Sequence, residues 1–261
     1  MLYWVLKQLA VGPVAKPLWR PWIEGAENIP AGGGAIIASN HLAVCDSLFL
    51  PLLVSRQLAF PAKKEYFTQP GVKGLAKRLF LTGVRQVPID RGGGAAALSA
   101  LAELETVLRD GGLVGFYPEG TRSPDGRLYR GKTGVARLAL AARVPVIPAA
   151  MVNTDKIQPI GKVLPKLRPR PGVRLGRPLD FSRYDGMAGD RFVERALTDQ
   201  LMYELMHLSG QEYVDVYAAN VKREMDRMGR RGPRAARAAA EAVALQTDPD
   251  LADRSPRRRA S

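Results

Sequence analysis

The sequence alternates between short apolar stretches and longer segments with helical spacing, and this alternation constrains the fold more than any other feature. One such longer segment is 95–110, AAALSALAELETVLRD, whose apolar residues recur about every three to four positions. Strands that alternate with helices predict an α/β fold with a mixed, partly parallel sheet flanked by helices. The predicted strands lie at residues 34–39, 58–62, 85–89, 113–117 and 144–151.

The first 24 residues are apolar but too interrupted to cross a bilayer. Lys7, Gly12, Pro13 and Lys16 break the run well before the roughly 18 consecutive apolar residues that a spanning helix needs. The segment also lacks the basic start and small-residue cleavage site of a secretory signal. Tryptophans next to basic residues are favoured at a bilayer interface, so we expect residues 1–24 to form membrane-docking helices. A helix pair packed on the core is the alternative. All three tryptophans of the chain fall here: Trp4, Trp19 and Trp22.

The chain carries a formal net charge of +14, which predicts anionic partners: nucleic acid, an acidic lipid surface, phosphorylated metabolites or an acidic protein. Residues 229–261 are rich in Ala, Arg and Pro and contain almost no large apolar residues. We expect them to form a basic, disordered tail. The residues between, 25–228, are expected to form a single α/β domain.

His41 follows the first predicted strand, at the kind of strand end where open α/β sheets bind ligands. Asp46, five residues on, is placed to accept a hydrogen bond from one ring nitrogen, which leaves the other nitrogen free to take a proton. This spacing alone is equally consistent with a structural histidine. The single cysteine, Cys45, is expected to be a small buried hydrophobe and not a nucleophile. No Cys/His cluster has zinc spacing.

Charged residues also follow the later strands. Asp90 and Arg91 come after the strand at 85–89, and Arg122 closes the segment FYPEGTRS after the strand at 113–117. Two arginines suit a phosphate, because each guanidinium offers a planar fork of donors to the oxygens. The sequence therefore predicts a phosphate site beside His41.

Residues 126–133, GRLYRGKT, match the P-loop pattern in letter. A working P-loop, however, follows directly from a buried strand and has small residues in its bend. Here the bend would hold Arg127, Leu128, Tyr129 and Arg130, so the sequence argues against nucleotide binding.

The motifs NHLAVCD, VPIDR, YPEGTRS and VPVIP, in this order, resemble the four sequence blocks of the glycerolipid acyltransferase family typified by 1-acyl-glycerol-3-phosphate acyltransferase (lysophosphatidic acid acyltransferase). The resemblance covers roughly residues 25–180, and AKKEYF at 62–67 resembles the basic segment of that family.

The resemblance implies roles for single residues. His41 would be the general base and Asp46 would orient its ring, while Arg122 would hold the phosphate of the acceptor. Arg91 and Lys63 would be further cationic contacts. The phosphate pocket would be shaped by Glu119, Gly120 and Thr121. Pro148 would line the acyl channel. The resemblance implies no metal and no cofactor.

The implied activity is transfer of a fatty acyl chain from acyl-CoA or acyl carrier protein to lysophosphatidic acid, at the cytoplasmic face of a membrane that the protein binds peripherally. Glycerol-3-phosphate or another lysophospholipid is the alternative acceptor. A basic nucleic-acid-binding protein is the rival class, but only the tail favours it, and no nucleic acid is expected as a partner. The basic run at 162–177 is either a solvated face or a contact for anionic lipid or an acidic carrier protein.

Overall fold

The computed structural model describes most of the chain. The described residues are 2–63, 65, 67–72, 74–75, 78, 86–89, 95–162 and 164–247.

The described strands form one large sheet and one small one. The strands of the large sheet are β1 (Trp22–Glu24), β2 (Ala35–Ser39), β3 (Leu58–Lys63), β4 (Gln86–Ile89), β5 (Leu113–Phe116), β7 (Val146–Val152) and β8 (Gly172–Leu175). Their order across the sheet is β1-β8-β7-β2-β5-β3-β4. The five strands from β7 to β4 are parallel to one another, whereas β8 is antiparallel to β7 and β1 is parallel to β8. The prediction of a mixed, partly parallel sheet is thus confirmed. The small sheet pairs β6 (Leu128–Tyr129) with β9 (Tyr213–Val214).

Helices flank the large sheet. The α-helices are α1 (Leu2–Val5), α2 (Gly12–Trp19), α3 (Asp46–Leu53), α4 (Ala95–Arg109), α5 (Gly134–Ala142), α6 (Thr154–Ile157), α7 (Arg191–Ser209), α8 (Ala218–Arg227) and α9 (Pro233–Thr247). A π-helical stretch, Leu6–Val11, joins α1 to α2.

Strand β2 is fully buried and divides the core in two. Successive side chains of a strand point to opposite faces of the sheet. Ile37 accordingly joins a cluster with Phe49 of α3, and Ile36 joins a second cluster with Leu104 of α4 and Leu201 of α7. Helices therefore cover both faces of the sheet, and the turn after β2 lies at its carboxyl edge.

The N-terminal segment is helical from Leu2 to Trp19 and packs on the core along one side. Tyr3 is buried on that side, and the Lys7 ammonium donates to the Pro51 carbonyl (2.8 Å) at the end of α3. Within the described residues no helix has both the length and the apolar character needed to cross a bilayer.

The prediction that helices fill residues 1–24 is wrong for the last part of that range. Arg20 adopts a left-handed conformation (φ 44°), and the following Pro21 cannot continue the helix, so the chain turns there. Trp22 then enters β1, where it pairs with Gly172 of β8.

The prediction of a disordered tail from residue 229 is wrong for Pro233–Thr247, which forms α9. One side of α9 is buried against α8, and it consists mostly of alanines; its buried residues are Ala235, Ala236, Ala239, Ala240 and Val243. Small side chains allow two helices to approach closely without any large apolar residue. Residues 248–261 lie outside the described part of the chain.

Candidate active site

A tight turn between β2 and α3 presents His41. Asp46, the first residue of α3, is fully buried. Its Oδ2 atom accepts hydrogen bonds from the N–H groups of Leu42 (2.7 Å) and Ala43 (2.8 Å) and from Nδ1 of His41 (2.9 Å). Because an ionised carboxylate only accepts hydrogen bonds, Nδ1 carries the proton and Nε2 keeps its lone pair. Within the described residues Nε2 has no hydrogen-bond partner, and the His41 side chain is 16% exposed, so this atom is available to a substrate proton.

The His41 ring lies flat on Tyr117, which follows β5. The ring centroids are 3.9 Å apart and the planes differ by 11°. Tyr117 also stacks on Phe60, and its hydroxyl lies 3.2 Å from Oγ of Ser47. Burial, together with the nearby Asp46 carboxylate, raises the pKa of the Tyr117 phenol well above its usual value. Tyr117 is therefore neutral and holds the imidazole in one plane.

The loop after β5 grips the backbone of His41. Oε1 of Glu119 accepts from the His41 N–H (3.2 Å), and the Ser123 N–H donates to the His41 carbonyl (2.7 Å). Oε2 of Glu119 accepts from the N–H of Tyr129 (3.0 Å) in β6. Glu119 is 1% exposed, and this burial raises its pKa to about 8. Glu119 therefore lies in the protein interior, where it stabilises the backbone of His41 and does not face solvent.

The same loop carries the candidate phosphate contacts. Gly120 turns it with φ +69°, a conformation that favours glycine. The Arg122 side chain is half-buried and forms no ion pair with any described residue. Lys222 of α8 reaches the loop, and its Nζ donates to Oγ1 of Thr121 (2.8 Å) and to the Arg122 carbonyl (2.6 Å). An unpaired guanidinium beside a lysine can bind an anion.

Asn40 fixes the end of β2 on the side that faces β7. Its Oδ1 atom accepts from the N–H of Met151 (2.7 Å) in β7. Its Nδ2 group donates to Oε1 of Gln211 (2.6 Å), and Nε2 of Gln211 donates to the Gly126 carbonyl (2.6 Å). The strand end that presents His41 is thus tied to both neighbouring segments.

The remaining predicted residues are placed as follows. Lys63 is the last residue of β3 and pairs in register with Ile89 of β4, which puts its backbone at the carboxyl edge of the sheet. Arg91 and Asp90 lie outside the described residues. Pro148 is buried inside β7, in register with Ala38. Its place in the core fits a packing role, and its contact with an acyl chain stays a prediction.

Cys45 is not equipped to act as a nucleophile. It is buried, and burial raises its pKa to about 12, so the thiolate is scarce at neutral pH. Among the described residues, no group of three or more His, Cys, Asp and Glu side chains is placed to hold a metal ion.

The P-loop-like stretch 126–133 does not form a phosphate cradle. The N–H of Leu128 donates to the Glu212 carbonyl (2.9 Å), and that of Arg130 donates to the Val214 carbonyl (3.1 Å). Tyr129, between them, donates its N–H to Glu119. These backbone donors serve β6 and its neighbours and are not available to a nucleotide.

Sequence reasoning missed several residues of the site, among them Tyr117, Gln211 and Lys222. Tyr117 carried a usable signal, since it stands at a predicted strand end directly before the motif PEGTRS. Gln211 and Lys222 are 171 and 101 positions away from their partners Asn40 and Thr121, and no local pattern marks such contacts.

The fold and the site define an α/β protein in which a histidine, held by a buried carboxylate, lies at the carboxyl edge of a mixed sheet. The family model named Acyltransferase matches residues 20–152, just over half of the sequence. The chain belongs to the acyltransferase family.

Two relatives illustrate the similarity. The chain is 34% identical over 146 residues to the chloroplast 1-acyl-sn-glycerol-3-phosphate acyltransferase of Arabidopsis thaliana, covering 56% of this chain and 39% of the relative. It is 33% identical over 131 residues to 1-acyl-sn-glycerol-3-phosphate acyltransferase alpha of Homo sapiens, covering 49% of this chain and 44% of the relative. The chain thus matches less than half the length of these curated relatives.

A solved structure shares the fold. The crystal structure of the 1-acyl-sn-glycerophosphate acyltransferase of Thermotoga maritima aligns with a TM-score of 0.54 at 24% identity, covering 76% of this chain and 81% of the other.

Proposed function

We propose that the protein transfers a fatty acyl chain from acyl-CoA or acyl carrier protein to the free hydroxyl of lysophosphatidic acid, which gives phosphatidic acid. The observation that carries the proposal is the geometry of His41: Nδ1 is held 2.9 Å from Asp46, and Nε2 is unpartnered within the described residues. The names of the relatives supply the acceptor, since both act on 1-acyl-sn-glycerol-3-phosphate.

In the proposed reaction Nε2 of His41 removes the proton of the acceptor hydroxyl as its oxygen attacks the thioester carbonyl. Asp46 stabilises the imidazolium that forms. When the tetrahedral intermediate collapses, the carbon–sulfur bond breaks, and the proton passes from Nε2 to the departing thiolate. We propose direct transfer without an acyl-enzyme, since Cys45 is buried and its raised pKa makes it a poor nucleophile, and the proposed reaction needs no cofactor.

The acceptor's phosphate is proposed to bind Arg122, with Lys63 and Arg91 as further cationic contacts. Gly120 and Thr121 shape the loop that carries Arg122, and Glu119 braces that loop from below. A charge-assisted contact from an otherwise unpaired guanidinium is worth roughly 1.5–3 kcal/mol.

The protein is proposed to bind peripherally to the cytoplasmic face of an anionic membrane. The side of the N-terminal helical segment, Leu2–Trp19, that does not pack on the core exposes large apolar residues, which we term the N-terminal face: Trp4, Val5, Leu9, Val14 and Leu18. Leu9 is 75% exposed. Such a face is stabilised when it enters the boundary between headgroups and acyl chains.

A second segment, which also carries exposed apolar residues, lies beside the N-terminal face. We term residues 158–170 the basic loop; Leu164 in it is 82% exposed, and the sequence of the loop contains four basic and no acidic residues. Nε1 of Trp19 donates to the Lys166 carbonyl (2.8 Å), and Nε of Arg170 donates to the Arg20 carbonyl (2.7 Å). These bonds attach the loop to the end of α2, so apolar and basic groups form one surface suited to anionic lipid.

Mass spectrometry of products tests the proposal. Purified protein is offered lysophosphatidic acid, glycerol-3-phosphate and other lysophospholipids, each with acyl-CoA and with acyl carrier protein, and His41→Ala serves as the inactive control. Phosphatidic acid from lysophosphatidic acid is the expected product. A different acylated acceptor would replace our assignment, and the absence of any product would overturn it.

A further inference from the structure

Helix α8 reaches the candidate phosphate site from outside the segment that the family model matches. That model covers residues 20–152, whereas Lys222 lies on α8, which packs with α9 in a separate cluster. Nζ of Lys222 nevertheless donates to Oγ1 of Thr121 (2.8 Å) and to the Arg122 carbonyl (2.6 Å). The C-terminal helix pair is thereby joined to the loop of the site.

The positive charges of Lys222 and Arg122 are not balanced by a paired anion within the described residues. Lys222 is half-buried, and both groups that accept its hydrogen bonds are neutral oxygens. Within the described part of the chain neither Lys222 nor Arg122 forms an ion pair. Burial lowers the pKa of Lys222, and the neighbouring Arg122 lowers it further.

Two neighbouring cations without a paired anion repel each other, and partial burial increases the cost. Glu119 is near enough to favour the charged form of Lys222, but both of its oxygens accept backbone N–H groups, those of His41 and Tyr129, and it forms no ion pair with Lys222 within the described residues. An anion bound between the two cations would remove this repulsion. An ammonium has three N–H donors, and two of those on Lys222 are used by the loop, so one remains for a ligand.

We infer that Lys222 completes the binding site for the acceptor's phosphate monoester, by fixing Thr121 and the Arg122 backbone and by adding a second positive charge beside the guanidinium. This inference rests on the proposed function for the identity of the acceptor. The chemistry recognised is a terminal phosphate group, which either a lysophospholipid headgroup or free phosphate presents.

Acceptor kinetics of Lys222→Met and Lys222→Arg test the inference. Lys222→Met keeps a long apolar side chain without the charge and should raise the acceptor KM about ten- to a hundredfold, with kcat and the donor KM close to wild type. Lys222→Arg should recover most of the affinity. Arg223→Met removes a cation from the adjacent, exposed position of the same helix and should change neither KM.

A purely structural role predicts different results. If Lys222→Met lowers the melting temperature and Lys222→Arg fails to restore the acceptor KM, or if the donor KM rises instead, the inference is wrong. Thr121→Val provides a second variant that keeps the charge: it should raise the acceptor KM, and its effect combined with Lys222→Met should be smaller than the product of the two single effects.

Direct binding separates this inference from the proposed function. Calorimetry with inorganic phosphate and with glycerol-3-phosphate needs no turnover and no acyl donor. Weaker binding of both ligands to Lys222→Met than to Arg223→Met would support the phosphate site even if lysophosphatidic acid is not the acceptor. Equal binding to the two variants would overturn the inference even if the protein forms phosphatidic acid.

Discussion

Oδ2 of Asp46 accepts the Nδ1 proton of His41 at 2.9 Å and, at the same time, the backbone N–H groups of Leu42 and Ala43. One oxygen atom thus orients the ring and closes the turn that carries it. The other oxygen, Oδ1, is buried and has no hydrogen-bond partner among the described residues.

His41→Ala should lower kcat by about 10²–10⁴-fold, the usual contribution of a positioned general base. The side chain packs on Tyr117 and, within the part of the chain that the structure describes, forms a hydrogen bond only with Asp46, so the variant should remain folded. Steady-state kinetics and circular dichroism check both parts. Turnover near that of wild type would exclude His41 as the base.

Asp46→Asn should lower kcat less than His41→Ala and should also lower the melting temperature. The amide oxygen can take the place of Oδ2 and keep the ring tautomer, but the charge that stabilises the imidazolium is lost. The NH₂ group then occupies the unpartnered position of Oδ1, and a buried unpaired donor costs about 1–3 kcal/mol. Thermal unfolding with unchanged stability would contradict this account.

Arg122→Ala should raise the acceptor KM roughly ten- to a hundredfold, because a charge-assisted contact to the phosphate is removed, while the donor KM stays the same. Arg109→Ala is the control: Arg109 ends α4 at the opposite edge of the sheet and pairs with Glu105. A selective rise in the donor KM would assign Arg122 to the phosphates of the donor instead.

Glu119 should make stability depend on pH. Its pKa is about 8 in the folded protein, against an ordinary value of 4.5, so the folded state binds more protons than the unfolded state between these values. Its contribution to the free energy of unfolding should therefore fall as pH rises from about 4.5 to about 8. Glu119→Gln should flatten the dependence of melting temperature on pH in this window, and Glu103→Gln, at an exposed position on α4, should not. Parallel curves for the two variants would contradict the raised pKa.

Leu9→Gln and Leu164→Gln should weaken binding to vesicles that contain anionic lipid without lowering the melting temperature, since these side chains are 75% and 82% exposed. Phe192→Gln is the matched control, because Phe192 is 89% exposed on α7, away from the N-terminal face. Binding should weaken with salt but persist, as charge is screened and buried apolar area is not. Vesicle flotation measures both effects. Equal binding of all three variants would refute the proposed surface.

The sequence predicts those parts of the site that follow strand ends. His41 and Glu119 come directly after buried strands, and adjacent parallel strands bring their ends together, so a local pattern suffices. Helix α9 was not predicted, because its buried side is mostly alanine and its composition resembles that of a disordered chain. The pairing of Trp22 with β8 was not predicted either, since a three-residue edge strand has too little periodicity to be recognised.

The hydrogen bonds between the 119–123 loop and the His41 backbone have a further consequence for the choice of acceptor. Because the loop holds both the N–H and the carbonyl of His41, the imidazole and the Arg122 backbone belong to one rigid frame. In the proposed reaction the phosphate binds the Arg122 guanidinium, so the separation between hydroxyl and phosphate in the acceptor must match the distance from that group to the imidazole. This arrangement would select acceptors by the length of the glycerol unit. An acceptor with one extra carbon between hydroxyl and phosphate would bind through its phosphate, but its hydroxyl would lie out of reach of the base.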